Sequence, residues 1–465
     1  MVRPVIMSFA VERANTSEAQ NAPSSPPRRS LLLIVASAMS ILILPLAHEL
    51  GHAQQQITSR DLEYVEDMLL QVHSVLKRDY YDKSFHGIDI DARYQTCREQ
   101  IRSAKTVAAA YSMIEAYLAG LNDSHTVFIP PPNSNRVTYG FRFQMVGDKC
   151  YITNVRPGTD AAQKLHPGDQ VLTLDGYTFN RTNLWRLEYY LYRLPPRRTT
   201  EFTLRDVSGS VRHENVAAEF QQGSLFKDNS VGRRKLEVEE RQHILRSRSA
   251  EEGDVFFWKL PAFSGDEGAI SHMFSQARKH KALVLDLRGN RGGLEDDLMF
   301  ILGYLFDHNV KIGTRIMRNG EKELVAKSEG HAAFTGQLIV LVDSRSSSAA
   351  EILARTVQIE HRGMVIGDRS AGSVMGAKFL PLKEGMGLVF PYGVEITEAD
   401  LVMTDGKSLE KLGVTPDVIL LPTAADLAEG RDPVLAHAAE LAGVKLDETL
   451  AGKMFPIEWG PTTIQ

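Results

Sequence analysis

The chain has 465 residues, of which 43% are hydrophobic and 24% charged, with a formal net charge of −5. That length predicts two or three domains with enough apolar material for a sizeable core, and the mildly acidic balance offers no basic field for nucleic acid. Only two cysteines, Cys97 and Cys150, are present, which excludes a disulfide framework and a cysteine-rich zinc site, although the two could pair in an oxidising compartment.

Residues 1–30 are polar and end in Arg28-Arg29, an apolar run from Leu31 to Ala47 follows, and Gly51-His52-Ala53 supplies small residues before Gln54-Gln55-Gln56. This is the layout of a secretory signal over residues 1–53, cleaved after Ala53, and it predicts a periplasmic or secreted protein. Left uncleaved, the same run would be a membrane anchor. No later segment is long and apolar enough to span a bilayer. His48-Glu49-Leu50-Gly51-His52 fits the H-E-x-x-H pattern, in which two histidines bind zinc and Glu49 serves as base. Taken literally it makes a metalloprotease. Within a cleaved peptide it lacks the structural context the motif needs, so it is not read as a metal site.

Residues 54–132 predict a helical domain followed by a loop. Leu62, Val65, Leu69, Val72 and Leu76 share one helical face, as do Val107, Tyr111, Ile114 and Leu118. The loop runs Gly120-Leu121-Asn122-Asp123-Ser124-His125-Thr126 and closes on Pro130-Pro131-Pro132. Histidine titrates near neutrality and suits a general base, so His125 is a candidate; it is also one of 14 histidines, most of which serve no chemistry.

Residues 137–220 read as short strands and turns, from Tyr139-Gly140-Phe141-Arg142-Phe143 through Cys150 to Val155 and on to Gly168-Asp169 and Val171. Residues 221–253 are charged and read as a linker or exposed helix. From 254 to 440 apolar strands alternate with helices, which predicts a layered α/β core. Its expected strands are Val255–Leu260, Ala282–Leu287, Leu338–Val342, Met364–Ile366 and Leu388–Pro391; its expected helices include Ala269–Lys279 and Glu295–Phe306. Residues 441–465 read as a C-terminal tail.

Three segments of this core carry candidate chemistry. The apolar run ending at Val342 breaks at Asp343 into Ser344-Arg345-Ser346-Ser347-Ser348, and a helix-forming run opens at Ala349. Serines there either cap the helix or place a hydroxyl beside free backbone N–H groups and the positive end of the helix dipole, where an oxyanion is stabilised. Leu285-Asp286-Leu287-Arg288-Gly289-Asn290-Arg291-Gly292-Gly293 is a strand breaking into a glycine turn, whose backbone can serve the turn alone or approach a ligand. Glu410, in Leu409-Glu410-Lys411-Leu412-Gly413-Val414-Thr415-Pro416-Asp417, is either a solvated carboxylate or a support for an acid–base network.

Taken in order, these motifs resemble the C-terminal-processing (tail-specific) serine protease family, over roughly residues 60 to 440. Tyr139-Gly140-Phe141-Arg142-Phe143 with the later Gly-Asp run resembles a PDZ domain, whose loop holds a peptide carboxylate while the peptide adds to a sheet edge. Ser346-Ser347-Ser348-Ala349-Ala350-Glu351-Ile352 resembles the family's nucleophile segment and aligns the nucleophile on Ser348. Members with a Ser-Lys dyad carry a downstream lysine where this chain has Ser373; Lys378 is out of register. Asn122-Asp123-Ser124-His125-Thr126 and Glu410 are instead similar to the tricorn-like branch, which uses a histidine base. The resemblance implies a multidomain α/β fold: an N-terminal helical domain, a PDZ-like β domain and a ClpP/crotonase-like catalytic core. It implies Ser348 as nucleophile, His125 as base, Ser124 and Glu410 in support, and backbone N–H groups of Ala349 and of Gly292 or Gly293 as the oxyanion hole. It further implies peptide binding at Tyr139, Gly140, Phe141 and Phe143, a polypeptide substrate with a free C-terminus, and no cofactor. The alternative is a peptide-binding protein that has lost its protease activity.

Overall fold

The computed structural model describes residues 56–131, 136–221, 246–384 and 390–459. The signal-like segment and His48, Glu49 and His52 lie outside the described residues. Among those described, no helix is long and apolar enough to cross a membrane, and no group of His, Cys, Asp and Glu is arranged to hold a metal ion.

Five apolar or nearly apolar runs and one charged edge strand build the six-stranded central sheet. Its order is Val418–Ile419, Met364–Gly367, Gln337–Val342, Ala282–Asp286, Val255–Lys259 and Arg248–Glu252. All neighbours are parallel except the last pair. Side chains alternate across a strand, so each strand feeds two cores. Phe256, Trp258, Leu283, Leu285, Leu338, Val340 and Val342 face helices Glu267–Ala277, Glu295–Leu305 and Ala349–Ile359. Val255, Phe257, Val284, Ile339 and Leu341 face helix Pro433–Leu441 and its successor Glu448–Met454. Two expectations change here. Residues 248–252 are an edge strand of this sheet, although their charge reads as linker, because an edge strand keeps a solvated face. The stretch after 441 is no loose tail: Val444, Leu446, Met454 and Phe455 pack on the sheet.

A second sheet is antiparallel throughout. Phe390–Met403 is its spine, paired with Val127–Ile129, Val310–Met317 and Met375–Glu384, and Gly320–Ala326 extends it. Of this sheet the sequence pattern marks only the stretch around Leu388–Pro391. Its strands are half-exposed, and their mixed composition hides them from a search for apolar runs. Helices Ser59–Asp79, Ile90–Arg102 and Val107–Ala119 pack on one face of the spine, burying Val65, Leu69, Val72, Leu76, Ile114 and Leu118 against Phe128, Tyr392, Val394 and Ile396.

Residues 136–221 form a separate β unit. A ribbon of Arg136–Thr138 with Glu219–Gln221 leads into five antiparallel strands, ordered Phe141–Val146, Lys149–Val155, Gln170–Leu174, Thr199–Arg205 and Val211–Ala217. Helices Asp160–Lys164 and Leu184–Tyr192 accompany them. Cys97 is buried in the helical core and Cys150 in the core of the β unit; both are free thiols, pushed up by burial, Cys97 to about 12. They do not pair.

Candidate active site

The carboxyl ends of parallel strands are where open α/β sheets bind ligands. Two adjacent strands end here in the two glycine- and serine-rich turns. Ala282–Asp286 runs into Leu287–Gly293, and Gln337–Val342 runs into Asp343–Ser348. Asp343 ties the turns together: its carboxylate accepts from Gly289 N (2.9 Å), Arg345 N (2.9 Å) and Ser346 N (3.0 Å). Ser346 Oγ donates to Leu287 O at 2.8 Å, and Ser347 N donates to Asn290 O at 2.9 Å.

Ser348 stands at the N-terminus of helix Ala349–Ile359 with φ 55° and ψ −122°. A side chain at this φ costs on the order of 1–3 kcal/mol, and a sharp strand-to-helix turn is a setting in which nucleophilic serines occur. Its N–H is shared between Ser373 O (2.8 Å) and Glu351 Oε2 (3.1 Å), so it is not free for a ligand. Ala349 N and Gly293 N have no hydrogen-bond partner among the described residues. Gly292 differs from Gly293: its N–H already donates to Asn290 Oδ1 at 2.7 Å. What Gly292 supplies is closeness. Its φ is +90°, and a Cβ there would lie 2.6 Å from Ser348 Cβ and 3.1 Å from Ala349 N.

His125 arrives from the other sheet. The chain enters strand Val127–Ile129 with Val127 opposite Glu395, which brings Glu395 and the histidine together. Asp123 fixes the loop, accepting from His125 N (3.0 Å), Thr126 N (2.7 Å), Thr126 Oγ1 (2.9 Å), Tyr80 OH (2.8 Å) and Thr397 Oγ1 (2.9 Å). Ser124 Oγ lies 2.8 Å from His125 Nδ1 and donates to Glu410 Oε2 at 2.8 Å. A hydroxyl has one proton, so with it directed at Glu410 the serine accepts from Nδ1–H. Nε2 is then the basic nitrogen. Burial holds the imidazole below its usual range against the opposing pull of Glu395 and Asp123, which favours the neutral, proton-accepting form at pH 7. Burial also raises the Glu410 carboxyl.

Two adjacent residues join the halves. Ser373 O receives Ser348 N–H, and Val374 N donates to Glu410 Oε2 at 2.9 Å. No hydrogen bond links Ser348 Oγ directly to His125. Ser373 contributes only its backbone here, and Lys378 lies 3.6 Å from Asp79 Oδ1.

The β unit reaches the same turns. Ser344 Oγ donates to Met145 O at 2.5 Å, and Gln144 Nε2 to Asp343 Oδ2 at 2.8 Å. Glu188, on helix Leu184–Tyr192, accepts from Arg345 (2.6 Å) and from Arg291 of the glycine turn (2.9 Å). Tyr139, Phe141 and Phe143 are buried in the unit's own core and Gly140 is buried beside them, so their side chains form no peptide-binding surface. Glu188, Asp343, Asp123 and Asn290 were not singled out from sequence. A strand-ending Asp before a serine turn, and an Asx-type Asp before Ser-His, are signals for two of them; Glu188 has none.

Residues 256–420 match the family model "Peptidase family S41". The chain is 23% identical over 419 residues to "Carboxyl-terminal-processing peptidase 3, chloroplastic" of Arabidopsis thaliana, covering 83% of this chain and 76% of that protein. It is 24% identical over 396 residues to the "Carboxyl-terminal-processing protease" of Synechocystis sp., covering 81% and 86%. In fold it is similar to mature CPAF, with a TM-score of 0.62 and 13% identity over 80% of this chain and 95% of that one.

Proposed function

We propose that this chain, a serine peptidase of the S41 carboxyl-terminal-processing family, cuts unfolded or C-terminally recognised polypeptides outside the cytoplasm through Ser348 and His125. Ser348 Oγ attacks a peptide carbonyl, His125 Nε2 takes its proton, and the same nitrogen later protonates the leaving amine. Ser124 and Glu410 hold the Nδ1–H tautomer and steady the imidazolium as it forms. Ala349 N–H and Gly293 N–H receive the oxyanion; losing one such donor costs roughly 100-fold or more in rate. The observation that carries this reading is the relay His125–Ser124–Glu410, joined to the backbone of Ser348 through Ser373 and Val374.

Residues 137–220 act as a PDZ-like unit. Phe141–Val146 is an edge strand with helix Leu184–Tyr192 in the same unit, the setting in which an extended peptide adds to a sheet. The relatives' names supply the substrate class: a polypeptide processed at its carboxyl end. The segment over residues 1–53 supplies the export reading.

The test is digestion of an unfolded protein by the chain lacking residues 1–53, beside Ser348→Ala, His125→Ala and Lys378→Ala, with product ends mapped by mass spectrometry. Cleavage is expected from the parent and Lys378→Ala only. Cleavage lost with Lys378 and kept without His125 would mean a displaced Ser-Lys dyad. Peptide binding without cleavage by any version would mean a binding protein, the reading that the missing Ser348–His125 hydrogen bond favours.

A further inference from the structure

Glu351 is the N3 residue of helix Ala349–Ile359, three residues after Ser348. A glutamate at N3 that reaches back to the N-cap N–H is ordinary capping, and such residues are usually solvated. This one is 0% exposed. It also takes three donors from a separate segment: Ser370 Oγ at 2.5 Å and Gly372 N at 2.7 Å on Oε1, and Ser373 N at 2.9 Å on Oε2, where Ser348 N also binds at 3.1 Å. A cap needs one of these four bonds. The other three fix the segment that ends in Val374, whose N–H holds Glu410 of the base relay.

We infer that Glu351 is a positioning residue for the reaction proposed above: its ionised carboxylate locks the strained backbone of Ser348 and the segment 370–374 together, setting the nucleophile in register with the His125–Ser124–Glu410 relay. The inference rests on that proposed reading of Ser348 and His125. An ionised carboxylate accepts all four bonds, whereas a protonated one keeps the three N–H bonds only by reversing the fourth, its O–H then donating to Ser370 Oγ. The groups facing it are Ser348, Ser370, Gly372 and Ser373, all neutral, and the nearest titrating side chains of the network are Glu410 and His125. With no cation beside it, burial pushes this carboxyl up to about 7.

Two consequences have opposite sign. Activity gains as Glu351 ionises, through about pH 7. Stability moves the other way: a carboxyl raised above its unfolded value contributes most when protonated, and that contribution is lost as pH rises through the folded value. A purely structural glutamate would make activity follow stability.

The experiment measures kcat, KM and melting temperature from pH 5 to 9 for the wild type, Glu351→Gln and Ser370→Ala, with labelling of Ser348 by a fluorophosphonate. For Glu351→Gln the expected result is kcat down about tenfold or more, KM within about twofold, and loss of the activity step near pH 7. Ser370→Ala keeps the carboxyl but removes one donor that favours its charge, so the step should move to higher pH. A step that stays put in both variants, with kcat unchanged in Glu351→Gln, overturns the inference. Should Glu351→Gln fail to fold, Ser370→Ala decides alone. Absence of both cleavage and Ser348 labelling in the wild type would instead overturn the proposed function.

Discussion

The two halves of the candidate site are held in different ways. Ser348 is placed mostly by nearby chain: a strand end, a serine turn and a helix start within 343–351, tied to the glycine turn on the adjacent strand and, through Ser348 N–H and Glu351, to residues 370–373. His125 is placed by distant parts of the chain. Its loop is fixed through Asp123 to Tyr80 and Thr397, and its Ser124 to Glu410, 286 residues away. A nucleophile can thus be set by local backbone geometry, while its base depends on whole-fold assembly. The base half should be the easier one to break without touching the nucleophile.

Asp123→Ala is the sharpest break. It removes the acceptor of five donors, and stranded buried donors cost roughly 1–3 kcal/mol each at the upper end of the range. We expect kcat/KM to fall about 100-fold or more, the scale of a misplaced base, and the protein to lose several °C of melting temperature. The backbone of the 343–351 turn should stay intact, which hydrogen exchange at Ser346 and Ser347 would report. Loss of protection there would mean the halves are not separate.

Glu188→Gln tests the third party to the site. Glu188, on the β unit's helix, pairs with Arg291 of the glycine turn and Arg345 of the serine turn. Neutralising it leaves two cations without their partner, and Arg345 Nε is already buried without a hydrogen bond. A drop of about tenfold in kcat, with the β unit still folded, is expected from steady-state kinetics. Unchanged kinetics would make these ion pairs mere surface contacts.

The difference between the halves also explains what was legible in the sequence. The parallel strands are apolar on both faces and the turns that follow them carry Gly and Ser, so the serine turn before Ala349 and Gly292-Gly293 could be read as candidate segments, while choosing Ser348 among the serines took the family resemblance. His125 and Glu410 could be paired only through a family resemblance, because 286 residues separate Ser124 from Glu410 and no local pattern encodes that contact. The antiparallel sheet that carries the base went largely unread: Met375–Glu384 alternates half-buried and exposed positions, and its Lys and Pro hide the strand. Gly292 could not be told from Gly293 by sequence, since the choice turns on the Asn290 side chain that occupies one N–H.

The pH dependence of kcat/KM separates the halves by charge. Burial depresses His125, so its step lies below the ordinary histidine value and activity is lost as pH falls through it. Glu395 opposes that depression. Glu395→Gln should therefore move the His125 step to still lower pH while leaving the Glu351 step where it is. A shift of both steps together would mean that the two halves titrate as one unit.

The smallest effect is expected at Lys378, the residue nearest in sequence to a dyad lysine. It lies on strand Met375–Glu384 opposite Ile396, half-exposed, and its partner Asp79 also binds Arg78. A partly exposed ion pair is worth about 0–1 kcal/mol, and Asp79 keeps a second cation when the lysine is removed. Lys378→Ala should change kcat/KM by less than about twofold and melting temperature by a degree or two. The chemical contrast is decisive here: a lysine base must sit in a site that desolvates its ammonium, and this one is paired and solvated. If its removal nonetheless abolished cleavage, the base would belong to the same sheet but not to the His125 loop, and the contrast between a locally held nucleophile and a remotely held base would have to be redrawn around that strand.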